Sequence, residues 1–281
     1  MKILVTGVNG QLGYDVMKVL KARKIECMGV DINDFDITDE KAAFEYIVGY
    51  HPDAVIHCSA YTAVDKAEEN EKLCGAVNAD GPRNIAKACK EIDAKMVYIS
   101  TDYVFPGTGQ DAYEVDDPKG PLNVYGRTKL EGEEAVRELV NEHFIVRISW
   151  VFGKNGNNFV KTMLRLGKEH NEINVVSDQI GSPTYTADLA PLLCDMVVTE
   201  KYGTYHATNE GYCSWAEFAQ EIFKQAGYET RVNLIPTSAY PTTAKRPLNS
   251  RLSKKSLDDA GFSRLPDWRN ALRRYLEEME G

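Results

Sequence analysis

Tyr125 and Lys129 stand four residues apart in the run Tyr125-Gly126-Arg127-Thr128-Lys129. On a helix that spacing turns both side chains to one face, so a phenol and an ammonium can converge on one point. A free phenol has a pKa near 10, too high for easy proton exchange at neutral pH. A lysine charge ~4–5 Å away, at an effective dielectric of ~20, is worth about 3–4 kcal/mol, enough to draw the phenol toward the working range of a general acid. Thr101 follows an apolar run, Met96 to Ser100, and its hydroxyl could fix and polarise the same carbonyl oxygen. The chemistry is hydride delivery to a carbonyl carbon with protonation of its oxygen. Spacing alone is weak, because Tyr14 and Lys18 repeat it and the chain has fifteen tyrosines. Position separates the pairs: Tyr14 falls in the first helix, whereas Tyr125 follows a strand end and a long loop.

Hydride chemistry needs a nicotinamide, and the chain opens with a place for one. Lys2 to Val5 reads as a buried parallel strand, and Gly7, Gly10 and Gly13 follow as Gly-x-x-Gly-x-x-Gly. A helix is expected from Asp15 to Lys24. Strand, glycine turn and helix form the context in which such glycines bind a dinucleotide, the backbone approaching the pyrophosphate at a helix N-terminus. Asp31 ends the second strand, Ile25 to Asp31, where an acid can bind a ribose diol and repel a 2′-phosphate. That favours NADH and leaves NADPH open.

Strand and helix alternate through the first half, with further strands at 54–58, 96–100 and 144–148, so the fold expected is α/β with a Rossmann-type doubly wound parallel sheet. Thr38 is expected to cap the helix that Gly49 and Pro52 end, and a new helix to begin at Asp80-Gly81-Pro82. Ligands of such sheets sit at the carboxyl ends of the strands, which points to 7–13, Asp31, 59–62, 100–103 and 149–151. Residues 104–124 carry three prolines and three glycines and read as a long loop. Past residue 153 the pattern changes to separated helices, with Ser214 to Glu217 a capping box. The expected division is a dinucleotide-binding domain over 1–153, with some later segments returning to it, and a smaller, partly helical substrate-binding portion over 154–281.

Bulk properties narrow the partners. The chain has 281 residues, a formal net charge of −9 and 27% charged residues, which argues against nucleic acid or an anionic membrane surface. No apolar stretch is long enough for a membrane span, the first strand begins at once, and the six cysteines form no Cys-x-x-Cys or His/Cys cluster. A cytoplasmic setting without structural metal is expected.

The glycine opening, the hydroxyl at 101 and the Tyr125/Lys129 pair resemble the extended short-chain dehydrogenase/reductases that act on nucleotide sugars. Longer blocks narrow the resemblance to the dTDP-4-dehydrorhamnose reductase family: residues 60–68 (AYTAVDKAE), 100–107 (STDYVFPG), 121–126 (PLNVYG), 147–151 (RISWV), 157–163 (NNFVKTM) and 178–184 (DQIGSPT). The resemblance implies that Gly10, Gln11 and Leu12 touch the cofactor phosphates, Asp31 the adenosine ribose, and Asp36 with Ile37 the adenine. It implies Ala60, Tyr61 and Thr62 along the nicotinamide half, Tyr125 and Lys129 on its ribose, and Thr101, Asp102 and Trp150 on the sugar nucleotide. The reaction implied is NADH- or NADPH-dependent reduction of dTDP-4-dehydro-β-L-rhamnose at carbon 4, by a monomer or homodimer. Arg246 is a candidate for the substrate diphosphate. Some relatives dimerise through a magnesium-bound carboxylate cluster; Asp15 fits one position, but Ala187 stands where an acid is expected, with Asp188 next, so no metal is assigned. A dehydratase would need a second carboxylate after Asp102, where Tyr103 stands. An epimerase, or a regulatory subunit of the methionine adenosyltransferase β type, would use the same scaffold.

Overall fold

A computed structural model describes residues 1–280. Six parallel strands form the central sheet. β1 (Lys2–Thr6), β2 (Glu26–Val30), β3 (Ala54–His57), β4 (Lys95–Thr101) and β5 (His143–Ile148) are joined at the far edge by Gly203–His206. The spatial order is Gly203–His206, β5, β4, β3, β1, β2. The chain steps outward from β1 to β2 and then crosses back to β3, so the direction of winding reverses between β1 and β3. A crevice opens beyond the strand ends at such a point.

Strand alternation assigns the two faces. Ile3, Val5, Ile56, Val97 and Phe144 point to one side, against α1 (Gln11–Ala22) and the helix Thr186–Val197. Leu4, Val55, Met96, Tyr98 and Ile145 point to the other, against the helices Glu40–Tyr50, Gly81–Glu91 and Val124–Leu139. Both faces are dry, as in parallel sheets generally. The helix 186–197 and the strand 203–206 therefore belong to the central sheet and its covering layer although they follow residue 153. A third core holds the rest together, built from Phe152, Val160, Phe218, Phe223, Trp268 and Tyr275.

Three local expectations are corrected. The first helix starts at Gln11, not Asp15, because the glycine turn runs directly into it; its N-cap is Gly10. The cap of Glu40–Tyr50 is Asp39, whose carboxylate accepts from the Ala42 N–H at 3.0 Å, while Thr38 bonds back to Asp36. No new helix begins at Gly81. The chain is helical from Glu71 to Glu91, with a π turn over Ala76–Asp80. Pro82 has no N–H to give Asn78, four residues earlier, and the freed Asn78 carbonyl accepts from the Tyr98 hydroxyl at 3.3 Å.

Candidate active site

The glycine turn is shaped for close backbone approach. Gly7 has φ +70°, and a Cβ there would lie 2.8 Å from the Ser59 nitrogen. A Cβ on Gly13 would lie 2.3 Å from the Gly7 carbonyl oxygen, so α1 can start beneath the turn only with glycine there. Asp31 sits at the end of β2, its carboxylate accepting from the Asn9 N–H at 2.9 Å. These groups border a cleft of about 720 Å³ that runs along the strand ends.

The cleft gathers nearly all the residues singled out above. Gly7, Gly10, Gln11, Leu12, Asp31, Asp36, Ile37, Ala60, Thr62, Thr101, Asp102, Tyr125, Lys129 and Trp150 all line it. Tyr61 does not. Its backbone is instead clamped by the Asn78 side chain in the π turn, with bonds of 2.8 and 3.0 Å. Tyr14 is exposed on the outer side of α1 and Lys18 pairs with Glu278, so the second Tyr/Lys pair lies away from the cleft. Arg246 is held by Asp65 at 2.5 Å and by the Tyr103 hydroxyl at 3.2 Å.

Asn123 caps the helix Val124–Leu139, accepting from the Gly126 N–H at 2.8 Å, which presents Tyr125 in the first turn and Lys129 one turn deeper. A Cβ on Gly126 would meet the Tyr103 carbonyl oxygen at 2.3 Å, so glycine lets the helix seat against that turn. Tyr125 meets Tyr103 edge-on, ring centres 5.5 Å apart. Lys129 is 2% exposed, with its ammonium 4.1 Å from the centre of the Tyr98 ring.

The electrostatics correct one expectation. Burial pushes the Tyr125 phenol above its ordinary value, a hydrogen bond with Thr101 opposes that, and the Asp102 charge adds to it. Burial pushes the Lys129 amine down to about 7, against the pull of Glu133. Desolvation disfavours both charged forms and outweighs the acidification that an exposed lysine would give. Glu133 is itself ionised. Burial alone would raise its pKa, but Arg147, Ser100 and Arg137 bring it below the ordinary value, Arg147 bonding both carboxylate oxygens at 2.8 and 2.7 Å.

One expected residue, Trp150, is joined by others beside the cleft to which the sequence assigned no role. Trp150 has φ +49°, a left-handed conformation that bulky side chains avoid, and stacks on Trp215 with centres 3.8 Å apart. Phe159 and Phe218 extend this aromatic wall. Asn155 reaches across to the Asn9 carbonyl at 2.7 Å, and Asn158 to Gln11 at 3.0 Å, tying the second half of the chain to the glycine turn. The sequence marked Trp215 only as part of a capping box and Asn158 and Phe159 only as part of the 157–163 block, and gave Asn155 and Phe218 no role.

A family model described as RmlD substrate binding domain matches residues 1–280. The dTDP-4-dehydrorhamnose reductase of Mycolicibacterium smegmatis is 42% identical over 284 residues, covering 100% of this chain and 86% of that protein. The chain belongs to the dTDP-4-dehydrorhamnose reductase family. Another reductase of this name, from Aggregatibacter actinomycetemcomitans, is 40% identical over 97% of each chain. The crystal structure of a Clostridium acetobutylicum reductase superposes with a TM-score of 0.98 at 43% identity over the full length of both chains. The Bacillus anthracis reductase, solved in complex with NADP, gives a TM-score of 0.96 at 44% identity, covering 99% of this chain and 100% of that one. A Thermus thermophilus UDP-glucose 4-epimerase, 20% identical with a TM-score of 0.86, shares the fold. Like its family, the chain is an NAD(P)H-dependent oxidoreductase. Among the described residues no helix is long and apolar enough to cross a membrane.

The carboxylates considered for a shared metal are engaged within the chain. Asp15 accepts from the Thr186 hydroxyl at 2.5 Å, and Asp188 takes both arms of Arg274 at 2.6 and 2.7 Å.

Proposed function

We propose that this protein reduces dTDP-4-dehydro-β-L-rhamnose to dTDP-β-L-rhamnose with NADH or NADPH, and that Tyr125 protonates the carbon-4 oxygen. The observation that carries the reading is one continuous cleft with the glycine turn and Asp31 at one end and Tyr125, Thr101 and Asp102 at the other. The glycine turn and Asp31 suit a dinucleotide, since glycine at 7, with φ +70° and the Ser59 backbone close by, lets the turn lead straight into the N-terminus of α1, where a pyrophosphate can take N–H donors. A bound reduced nicotinamide supplies the hydride to the carbonyl carbon.

The chain's own residues do the rest. Gly7, Gly10, Gln11 and Leu12 bind the phosphates, and Asp31, Asp36 and Ile37 the adenosine. Ala60 and Thr62 line the nicotinamide end, and Lys129 orients its ribose. Thr101 hydrogen-bonds the substrate carbonyl, Trp150 and Trp215 hold the apolar faces of the sugar nucleotide, and Tyr125 delivers the proton. A phenol held neutral by burial still donates readily to a developing alkoxide, which is a far stronger base, so the raised phenol pKa does not hinder this step. The single carboxylate at 102 favours reduction over dehydration.

The direct assay follows NADH and NADPH oxidation with the 4-keto nucleotide sugar and identifies the product. Stoichiometric formation of dTDP-rhamnose is expected. Net epimerisation without cofactor turnover, or no turnover with this substrate, would refute the assignment.

A further inference from the structure

Between the strand Val151–Phe152 and the helix Phe159–Glu169 the chain runs Asn155-Gly156-Asn157-Asn158, and two of the three carboxamides fasten it to the glycine turn. Asn155 Nδ2 donates to the Asn9 carbonyl at 2.7 Å and to the Gly10 carbonyl at 3.4 Å. Asn158 Nδ2 donates to the Gln11 side-chain oxygen at 3.0 Å, while its Oδ1 accepts from the Lys161 N–H at 3.0 Å and caps the following helix. Gly156, with φ +70°, comes so near Gln11 that a Cβ there would lie 3.3 Å from its Cγ. The third carboxamide belongs to Asn157, which is exposed, lines the cleft, and enters no side-chain hydrogen bond among the described residues. We propose that this loop is the second wall of the site for the cofactor's pyrophosphate, Asn157 donating to the phosphate oxygens and Asn155 holding the loop in place. This rests on the dinucleotide lying along the glycine turn.

A pyrophosphate oxygen can only accept, so the groups that face it must donate. From the first half of the chain those donors are the backbone N–H groups at the start of α1. Charge offers little help: among the described residues Lys129 is the one Lys or Arg lining the cleft, against the carboxylates of Asp31, Asp36 and Asp102. Further donors come from the second half or from water. The loop is built to bring one. Its own carbonyl oxygens at Lys154 and Gly156 are taken up by the Lys161 ammonium at 2.6 and 2.7 Å, which also adds a positive charge to the loop. Asn155 in turn satisfies the Asn9 and Gly10 carbonyls, acceptors that could make no bond with a phosphate.

The cleft must also take the diphosphate of the nucleotide sugar. The ties to Asn9, Gly10 and Gln11 decide between the two. They hold the loop at the N-terminus of α1, the end of the cleft away from Tyr125, Thr101 and Asp102.

The test is titration of the full chain with NADPH, ADP-ribose and dTDP. ADP-ribose carries the pyrophosphate without the nicotinamide, and dTDP stands for the diphosphate of the nucleotide sugar. Asn157→Ala should weaken NADPH and ADP-ribose alike, by about 5–20-fold, and leave dTDP within about twofold of wild type. Asn157→Asp keeps the shape but sets a carboxylate against the phosphates, so it should weaken both by at least about 20-fold, with a loss that shrinks as salt is raised. Asn155→Ala should weaken NADPH by about 3–10-fold, but add at most about twofold when Asn157 is already alanine. Unchanged urea midpoints serve as the folding control for the Asn157 variants. NADPH affinity within about twofold of wild type in Asn157→Ala would overturn the proposal. So would a loss for dTDP in place of ADP-ribose, a loss for NADPH alone, or losses that multiply in the double variant. Gly13→Ala separates the loop from the reading beneath it. If Gly13→Ala leaves NADPH binding intact, the cofactor does not lie along the glycine turn; if it weakens NADPH while both Asn157 variants do not, only the role of the loop is removed.

Discussion

Tyr125 and Lys129 illustrate how a side-chain pair can be legible while its electrostatics are not. Their spacing, and the strand end at Thr101, are local features that sequence displays. Their pKa values depend on burial by Tyr98, Tyr103 and the surrounding sheet, which no spacing encodes. Desolvation wins: the amine at Lys129 is pushed down to about 7 and the phenol up. From pH 7 to the ordinary lysine value of 10.5, the native amine holds fewer protons than the unfolded one. Unfolding then takes up a proton, so this residue makes the fold more stable as pH rises across that window. Lys129→Met should abolish that dependence and raise the Tm near pH 7, while cutting turnover by about 10²-fold or more. Thermal scans between pH 6 and 10, paired with the reductase assay, check both effects.

At the scale of elements, the glycine turn was the clearest signal, since β1 and Gly7, Gly10 and Gly13 lie where their order says. The start of α1 was misplaced because glycine in a helix reads as a breaker, and only the fold reveals that Gly13 is needed for contact with the Gly7 carbonyl. Gly13→Ala would put a methyl group 2.3 Å from that oxygen. It should destabilise the protein by roughly 1–3 kcal/mol and weaken NADPH binding by at least about tenfold, as read by urea unfolding and fluorescence titration. The continuous helix through Pro82 was illegible for a related reason. Proline marks a helix start unless something else satisfies the carbonyl it abandons, and that partner, Tyr98, is sixteen residues further on. The aromatic wall of Trp150, Trp215 and Phe159 was partly hidden, because aromatics at helical spacing look alike whether they face a core or a ligand.

Across the whole molecule, one buried cluster joins the parts that position the chemistry. Glu133 on the helix of Tyr125 holds Arg147 on β5 and Ser100 on β4, and Arg147 donates to the Val115 carbonyl in the long loop at 2.8 Å. Loop, sheet and the helix of Tyr125 are therefore fixed to one another through a single ion pair with neither side chain exposed. Removing one partner of such a pair strands the other, so Glu133→Gln should cost about 3–5 kcal/mol in urea unfolding. The half-exposed pair Arg264–Asp258 gives the contrast, and Arg264→Ala should cost at most about 1 kcal/mol. Because the Glu133 carboxyl is held below its ordinary value, its contribution is complete above the usual carboxylate range and is lost as pH falls through the native value. Sequence reading identified the Rossmann-type sheet from strand alternation and expected some segments after residue 153 to return to it, but did not say which. The strand Gly203–His206 that completes the sheet, and Asn155 and Asn158 that reach the glycine turn, are long-range pairings without a local signature.

The claim that joins these scales is that the Tyr125 hydroxyl delivers the proton to the reduced carbonyl. Stopped-flow measurement of NADPH oxidation in Tyr125→Phe, with cofactor affinity measured on the same preparation, tests it most directly. The account predicts a rate lowered by about 10²–10⁴-fold with NADPH binding within about twofold of wild type. A rate within about threefold of wild type would contradict it.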